Sequence, residues 1–413
     1  MTNLRGSTAY VPQPFLAYAE VKLGSLYLSS FGSRPQMLLS LTHVRSMEDQ
    51  GNTVAIRVSD SEWTRVEAEL FGGDRILEFR YGYVGGLMSP WYKSSADVDW
   101  KPDIKSEGKE IEISGISQIF LSGQSELKTR VWRDKSINEI VSQIAVENGW
   151  KTDERTKRCA AMMDRCQGLR GTQAEMRVYN QSNMSDLDFV KHVLAPESVD
   201  EESGRSGHTV AFEDDTKTLI FRPPAYEESP KREYTWWNNK ETPVLNWVTQ
   251  FQGAMAQGIG TGGAAIETAT INSVTGKAEV YRVSNNENTS TKVTTGGRQL
   301  NRSKDASNLK LVQPAQPNPV VTQARATELW VSMMDMACYE ATMILMGDPT
   351  IKANETIKAN IFCGNGALDH TSGIYLINEI TDTITPGTFE TTLTLLKNGS
   401  HSGQEPTVGR VNA

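Results

Sequence analysis

The run from residue 347 to residue 396 constrains the chain most. Residues 354–361, 372–382 and 388–396 largely alternate polar and apolar side chains. That period of two belongs to antiparallel strands with one wet face. Pro349, Gly373, Pro386 and Gly387 punctuate these runs, where turn chemistry is needed. Upstream, residues 321–345 are apolar and read as a long helix feeding directly into the sheet. The pattern alone gives a small antiparallel barrel or sandwich with a helix against it.

A similar pattern stands near the N-terminus. Residues 37–44, 52–60, 76–83 and 109–116 read as strands joined by Gly and Asp turns, with a short helix over 62–71. After residue 131 the periodicity changes. Ser136 with Glu139 forms a capping box, Ile137, Ile140, Val141 and Ile144 make one apolar stripe, and Gly149 stops the helix. A second helix starts at Ser185, with Leu187, Phe189, Val190 and Val193 as its stripe. Residues 209–213 and 218–222 then flank a short turn as a hairpin.

The order of these pieces resembles the baseplate hub proteins of contractile phage tails, the late control D-like family. The resemblance is carried by the helix from Ser136 to Gly149, by Ser185-Asp186-Leu187-Asp188-Phe189, and by the hairpin ending in Phe221-Arg222-Pro223. It is carried further by the C-terminal series: helix, Gly347-Asp348-Pro349 turn, Ser372-Gly373-Ile374-Tyr375 strand, and the strand ending at Leu396. The N-terminal strands, with Ser59-Asp60 before a short helix and Gly82-Tyr83 closing a strand, look like that family's first barrel. The likeness covers about two thirds of the chain and is weakest between residues 253 and 318, which are rich in Gly, Ser, Asn and Thr and read as a flexible inserted arm.

The resemblance implies a mainly β protein with α+β insertions: two tube-like antiparallel β-barrels plus smaller α/β elements. The expected units are a first barrel at 1–125, an α/β insertion at 126–205, a second barrel from 206–252 with 319–398, the arm at 253–318, and a tail at 399–413. It also implies a homotrimer that joins a sixfold tail tube to a threefold central spike. Tube, spike, tape-measure and baseplate wedge proteins would be its partners, and DNA at most a cargo passing through the channel. The expected location is the virion tail baseplate, assembled in the host cytoplasm. Three chains with two like barrels each would present six equivalent surfaces. Residues 36–120 should therefore superpose on 206–250 plus 345–397.

Composition bounds the function classes. The 413 residues hold a net charge of −8, which argues against a coat for nucleic acid. No run reaches the roughly 18 apolar residues of a membrane helix, and the N-terminus has no apolar signal core. The 4 cysteines are too few for a disulfide scaffold and read as reduced thiols. The five histidines show no metal-ligand spacing, and Gly258 to Gly263 matches a dinucleotide fingerprint without the strand and helix that it requires. We expect no catalytic residue, no cofactor and no metal.

Trp236, Trp237, Trp247, Trp330 and Met333 are the candidate interface residues, because aromatics and methionine concentrate at domain and subunit contacts. Two rival readings remain. The acidic clusters at 200–202 and 213–215 could serve a tail-associated peptidoglycan hydrolase. The tryptophans could serve a carbohydrate-binding β protein.

Overall fold

The protein is described by a computed structural model. It covers residues 16–29, 36–47, 51–60, 65–72, 75–105, 108–154, 156, 159–161, 178–200, 208–223, 228–236, 242–251, 265–271, 278–284, 294–295, 298–299, 310–313, 339–369 and 371–397. The fold is mainly β, and its largest element is one thirteen-stranded sheet.

The first barrel holds β1 (Ala17–Leu23), β2 (Leu26–Ser29), β3 (Gln36–Ser46), β4 (Thr53–Asp60), β5 (Ile76–Tyr83), β6 (Tyr92–Lys105) and β7 (Gly108–Ser117). The alternation read from the sequence is realised directly. In β4, Val54, Ile56 and Val58 face inward, and they meet Ile111 and Ile113 of β7 in one core with Phe79 and Tyr81. Helix α1 (Arg65–Gly72) adds Val66 and Leu70 to that core. Its start is held by the fully buried Asp60, whose Oδ2 accepts from the Val66 N–H at 3.0 Å. That is the physical content of the Ser59-Asp60 strand ending.

The middle unit holds α2 (Gln118–Gln124), β8 (Leu127–Arg133), α3 (Ile137–Glu147), β9 (Lys151–Thr152), β10 (Cys159–Ala161), β11 (Val178–Ser185), α4 (Asp186–Phe189), β12 (Ser198–Asp200), β13 (Thr209–Glu213) and β14 (Thr218–Arg222). The expected capping box is present: Ser136 Oγ accepts from Glu139 N at 3.2 Å, and Glu139 Oε2 accepts from Ser136 N at 2.7 Å. Ile137, Ile140, Val141 and Ile144 share a core with Leu187, Phe189 and Val190. The hairpin β13–β14 was expected in the second barrel. It lies here instead, because β14 pairs in parallel with β9 and because Val210, Phe212, Leu219 and Phe221 enter this core.

The second barrel holds β15 (Arg232–Trp236), β16 (Val244–Phe251), β22 (Tyr339–Met346), β23 (Thr356–Ile361), β24 (Gly373–Thr385) and β25 (Thr388–Lys397). Between β16 and β22 the arm carries β17 (Ala265–Ile271), β18 (Ala278–Ser284), β19 (Thr294–Thr295), β20 (Arg298–Gln299) and β21 (Lys310–Gln313). The structure thus gives the arm its own sheet, in the order β18-β17-β21. The expected helix over 321–345 is also corrected at its C-terminal end. Tyr339–Met346 is a strand, because Ala341, Met343 and Leu345 recur every second residue and all point into the core. Apolar content there had masked a period of two. The remainder of that expected helix, with Trp330 and Met333, lies outside the described residues, as does Trp237.

The two barrels share one strand order. Along the sheet the first runs β3-β4-β7-β6-β5-β1 and the second runs β16-β22-β25-β24-β23-β15. Numbered by chain position within each barrel, the two paths are the same. The details correspond as well. The bulge in β3 between Leu38 and Ser40, opposite Val58, reappears in β16 between Val244 and Asn246, opposite Leu345. The hairpin closed by Lys105↔Gly108 corresponds to that closed by Thr385↔Thr388. The arm occupies the place of the short β3–β4 connection. The copies differ in that β2 has no counterpart, and in that β15 pairs in parallel with β23 whereas β1 pairs antiparallel with β5.

Candidate functional site: the seam between the barrels

One strand joins the barrels. With 13 residues, β24 outruns its neighbour β23, which pairs only with Gly373 to Leu376. Beyond a bulge between Ile377 and Glu379, β24 stays on β25 and turns its other edge to β3 of the first barrel. The seam register runs from Glu379↔Ser46 to Ile384↔Leu41. A shared strand makes the joint a continuous hydrogen-bonded ladder rather than a packed contact.

Among the inward-pointing side chains of this seam, between the apolar Leu41, Ile380 and Ile384, stands a polar cluster. Asp382 is fully buried and accepts three hydrogen bonds: from Arg45 Nη2 at 2.5 Å, Tyr81 Oη at 2.7 Å and Thr391 Oγ1 at 2.6 Å. Arg45 Nη1 donates to the Ile351 carbonyl at 2.6 Å. His43 Nδ1 lies 2.9 Å from Tyr81 Oη. Since the Tyr81 proton goes to Asp382, His43 must donate from Nδ1, which fixes its tautomer.

The protonation states are fixed too. Burial opposes the Arg45 charge, but Tyr81 and Asp382 beside it hold its pKa above the ordinary value. Burial, and then the Arg45 charge, push His43 well below its usual range. Burial pushes Tyr81 well above its own. At neutral pH the chain His43, Tyr81, Asp382, Arg45 is therefore one neutral ring, one neutral phenol and one ion pair.

A cavity of about 230 Å³ opens beside Arg45, walled by Tyr92 of the first barrel, the β13–β14 turn of the middle unit and residues 349–354 of the second barrel. Here the three units meet. Ser117 Oγ donates to Asp214 Oδ1 at 2.6 Å, Asn52 Nδ2 donates to the Phe212 carbonyl at 3.2 Å, and Lys352 Nζ pairs with Glu213 at 3.0 Å. Of the acidic clusters singled out from the sequence, Glu213 and Asp214 are thus engaged in docking the middle unit. Burial lifts Asp214 to about 6. Asp200 stands in β12, paired with Cys159, and 201–202 lie outside the described residues. Among the described residues no group of three or more His, Cys, Asp or Glu could hold a metal ion, and no helix is long and apolar enough to cross a membrane.

The tryptophans lie away from this seam. Trp236 ends β15, and Trp247 stands in β16, edge-on to Tyr375 at 5.4 Å. Both are half-buried at the margin of the second barrel's core. The seam residues Arg45, Asp382, Tyr81 and His43 went unnoticed in the sequence. Their signal was there: each shares the inward parity of its strand, Asp382 with Ile380 and Ile384, and His43 and Arg45 with Leu41.

No protein-family model matches the chain, and no curated protein matches its sequence. Solved structures do match. A tail protein from Neisseria meningitidis MC58 aligns at a TM-score of 0.59 with 8% identity, over 94% of this chain and 99% of that one. The 43 kDa tail protein of prophage MuSo2 from Shewanella oneidensis aligns at 0.55 with 10% identity, over 92% and 98%. A Francisella PdpA-VgrG complex aligns at 0.50 with 6% identity, over 96% of this chain and 54% of that one. The chain has the fold of these two tail proteins, which it also shares with the VgrG complex.

Proposed function

We infer that the chain is a structural hub of a contractile-tail baseplate, acting as a trimer between a sixfold tail tube and a threefold central spike. The observation that carries this reading is the repeated strand order, with the two copies set side by side in one sheet. Two like barrels per chain turn three chains into six like surfaces, each step turning about 60° around the ring. The tube would meet one face of that ring, the spike the other, and tape-measure ends would sit in the channel. The ladder across the seam is continuous, as a part that transmits force requires. The tail-protein fold supports the same reading, as does a net charge of −8, which suits a channel wall that must let DNA pass without holding it.

The test is the mass of the purified chain by light scattering, with end-on averages of negatively stained particles. A trimer whose averages show six lobes is expected. A hexamer would overturn the reading, because six chains leave nothing for a second barrel to match.

A further inference from the structure

The internal seam has an unfilled counterpart. β16 corresponds to β3, yet among the described strands it pairs only with β22, on one edge. β6 corresponds to β24, yet it pairs with β5 only from Tyr92 to Ser95. From Asp99 to Lys105, among the described strands, it is bonded only to β7. In β24 the matching half carries β3.

We propose that the outer half of β6 pairs antiparallel with β16 of a second copy of this chain, in the register that β24 and β3 use internally. This rests on the ring reading above and says which edges close the ring. Transferred through the two bulges and the two hairpins, Ile384↔Leu41 becomes Ile104↔Trp247. Thr383↔Thr42 becomes Asp103↔Val248, Asp382↔His43 becomes Pro102↔Thr249, and Ile380↔Arg45 becomes Trp100↔Phe251.

Exposure supports the pairing. Ile104 and Ile384 hold the same inward position, but Ile384 is 1% exposed and Ile104 is 66% exposed. What covers Ile384 is β3; nothing described covers Ile104. On β16, Leu245 and Val248 are 47% and 55% exposed, whereas their counterparts Leu39 and Thr42 on the closed edge are half-buried. Exposed apolar residues on an open strand edge mark a place where another chain adds.

The chemistry of the two seams supports it independently. At the register positions of Arg45 and Asp382 stand Phe251 and Pro102. At those of Tyr81, Thr391 and His43 stand Ile361, Ile111 and Thr249. Both members of the ion pair are replaced together, so no charge is left without its partner. A wrong closure, β24 on the β16 of another copy, would set Asp382 opposite Thr249 with Phe251 in the place of Arg45, and leave its buried charge uncompensated. The seams therefore alternate around the ring, one with a buried ion pair within each chain and one without it between chains. Pro102 leaves the second ladder one donor short, a cost confined to that single position.

Asp103 and Val248 would form a pair not joined by backbone hydrogen bonds, with Cα atoms about 4.5 Å apart, within disulfide reach. Both are exposed in the single chain, so cysteines there leave the fold intact. The full-length chain with D103C and V248C is oxidised and run on a non-reducing gel, beside each single variant and beside D103C with Q250C, while light scattering gives the uncross-linked mass. Covalent trimers from the 103/248 pair, at least tenfold over both singles and the shifted pair, are expected. A trimer by mass that does not cross-link at 103/248, or links equally at 103/250, overturns the pairing and leaves the hub reading standing. Cross-linking into a closed ring of other than three chains sustains the pairing and overturns the trimer. A chain that stays monomeric and does not cross-link overturns both.

Discussion

Arg45 and Asp382 lie 337 positions apart in the chain, yet they meet at 2.5 Å with the carboxylate fully buried. They join the two barrels across the seam between β24 and β3. Removing one member of such a pair leaves a buried charge without compensation, which costs about 3–5 kcal/mol. Asp382→Ala should lower the unfolding free energy by that much in a urea titration. Replacing both residues, as Arg45→Met with Asp382→Leu, should recover most of the loss. A single variant costing under about 1 kcal/mol would show that the seam is held by its ladder alone.

The dock of the middle unit should respond to pH. Burial raises Asp214 from its ordinary range to about 6. A carboxyl with a raised folded-state pKa binds its proton more tightly when folded than unfolded. The stability linked to that proton is fully present below the unfolded pKa near 4 and is lost as pH rises through about 6. Melting temperature should therefore fall across that window, and Asp214→Asn should flatten the fall. An unchanged slope in the variant would place the titrating group elsewhere.

Local signals were the most legible part of this sequence. The capping box at Ser136 and Glu139 and the stripe Ile137, Ile140, Val141 and Ile144 depend only on near neighbours, and both were read correctly. The alternation of β4, β7 and β25 was plain because one face of each is wet. β22 was not legible as a strand, because Met343, Ile344, Leu345 and Met346 are apolar on both faces. The placement of β13–β14 depended on a parallel partner, β9, of only 2 residues, a pairing with no local signature. The seam was hidden for a different reason. Arg45 and Asp382 look like surface residues until the strands that cover them are in place. The repeated barrel shows in strand order and bulge position but not in residue identity, since the two copies keep inward parity while exchanging polar for apolar side chains.

Ser136 offers a local measure of the middle unit. Its side chain accepts from the Glu139 N–H, and Glu139 answers to the Ser136 N–H. Loss of an N-cap oxygen costs about 1 kcal/mol. Ser136→Ala should lower stability by that amount in chemical denaturation. Ser136→Asp should restore most of it, because aspartate caps as well and faces the positive end of the helix. No difference between alanine and aspartate would mean that the first turn of α3 frays in the native state.

The arm separates folding from assembly. It leaves the second barrel after β16 and returns before β22, two strands that pair with each other. Its described strands pair only among themselves, so the described ladder of the thirteen-stranded sheet loses no hydrogen bond when the arm is removed. Long connections between paired strands add little to the cost of closure, about 0.6 kcal/mol per doubling of length. Replacing residues 253–310 with a short Gly/Ser linker should thus leave the melting temperature within a few degrees and the oligomeric mass unchanged. Incorporation into tails should fail, because a sheet whose described strands pair with no strand of the barrel leaves contact with another protein as its use. Variant and parent are compared by thermal unfolding and by their content in purified particles. Particles that take up the armless chain normally would remove any role for the arm in assembly. A large drop in melting temperature would mean that the barrel leans on the arm after all.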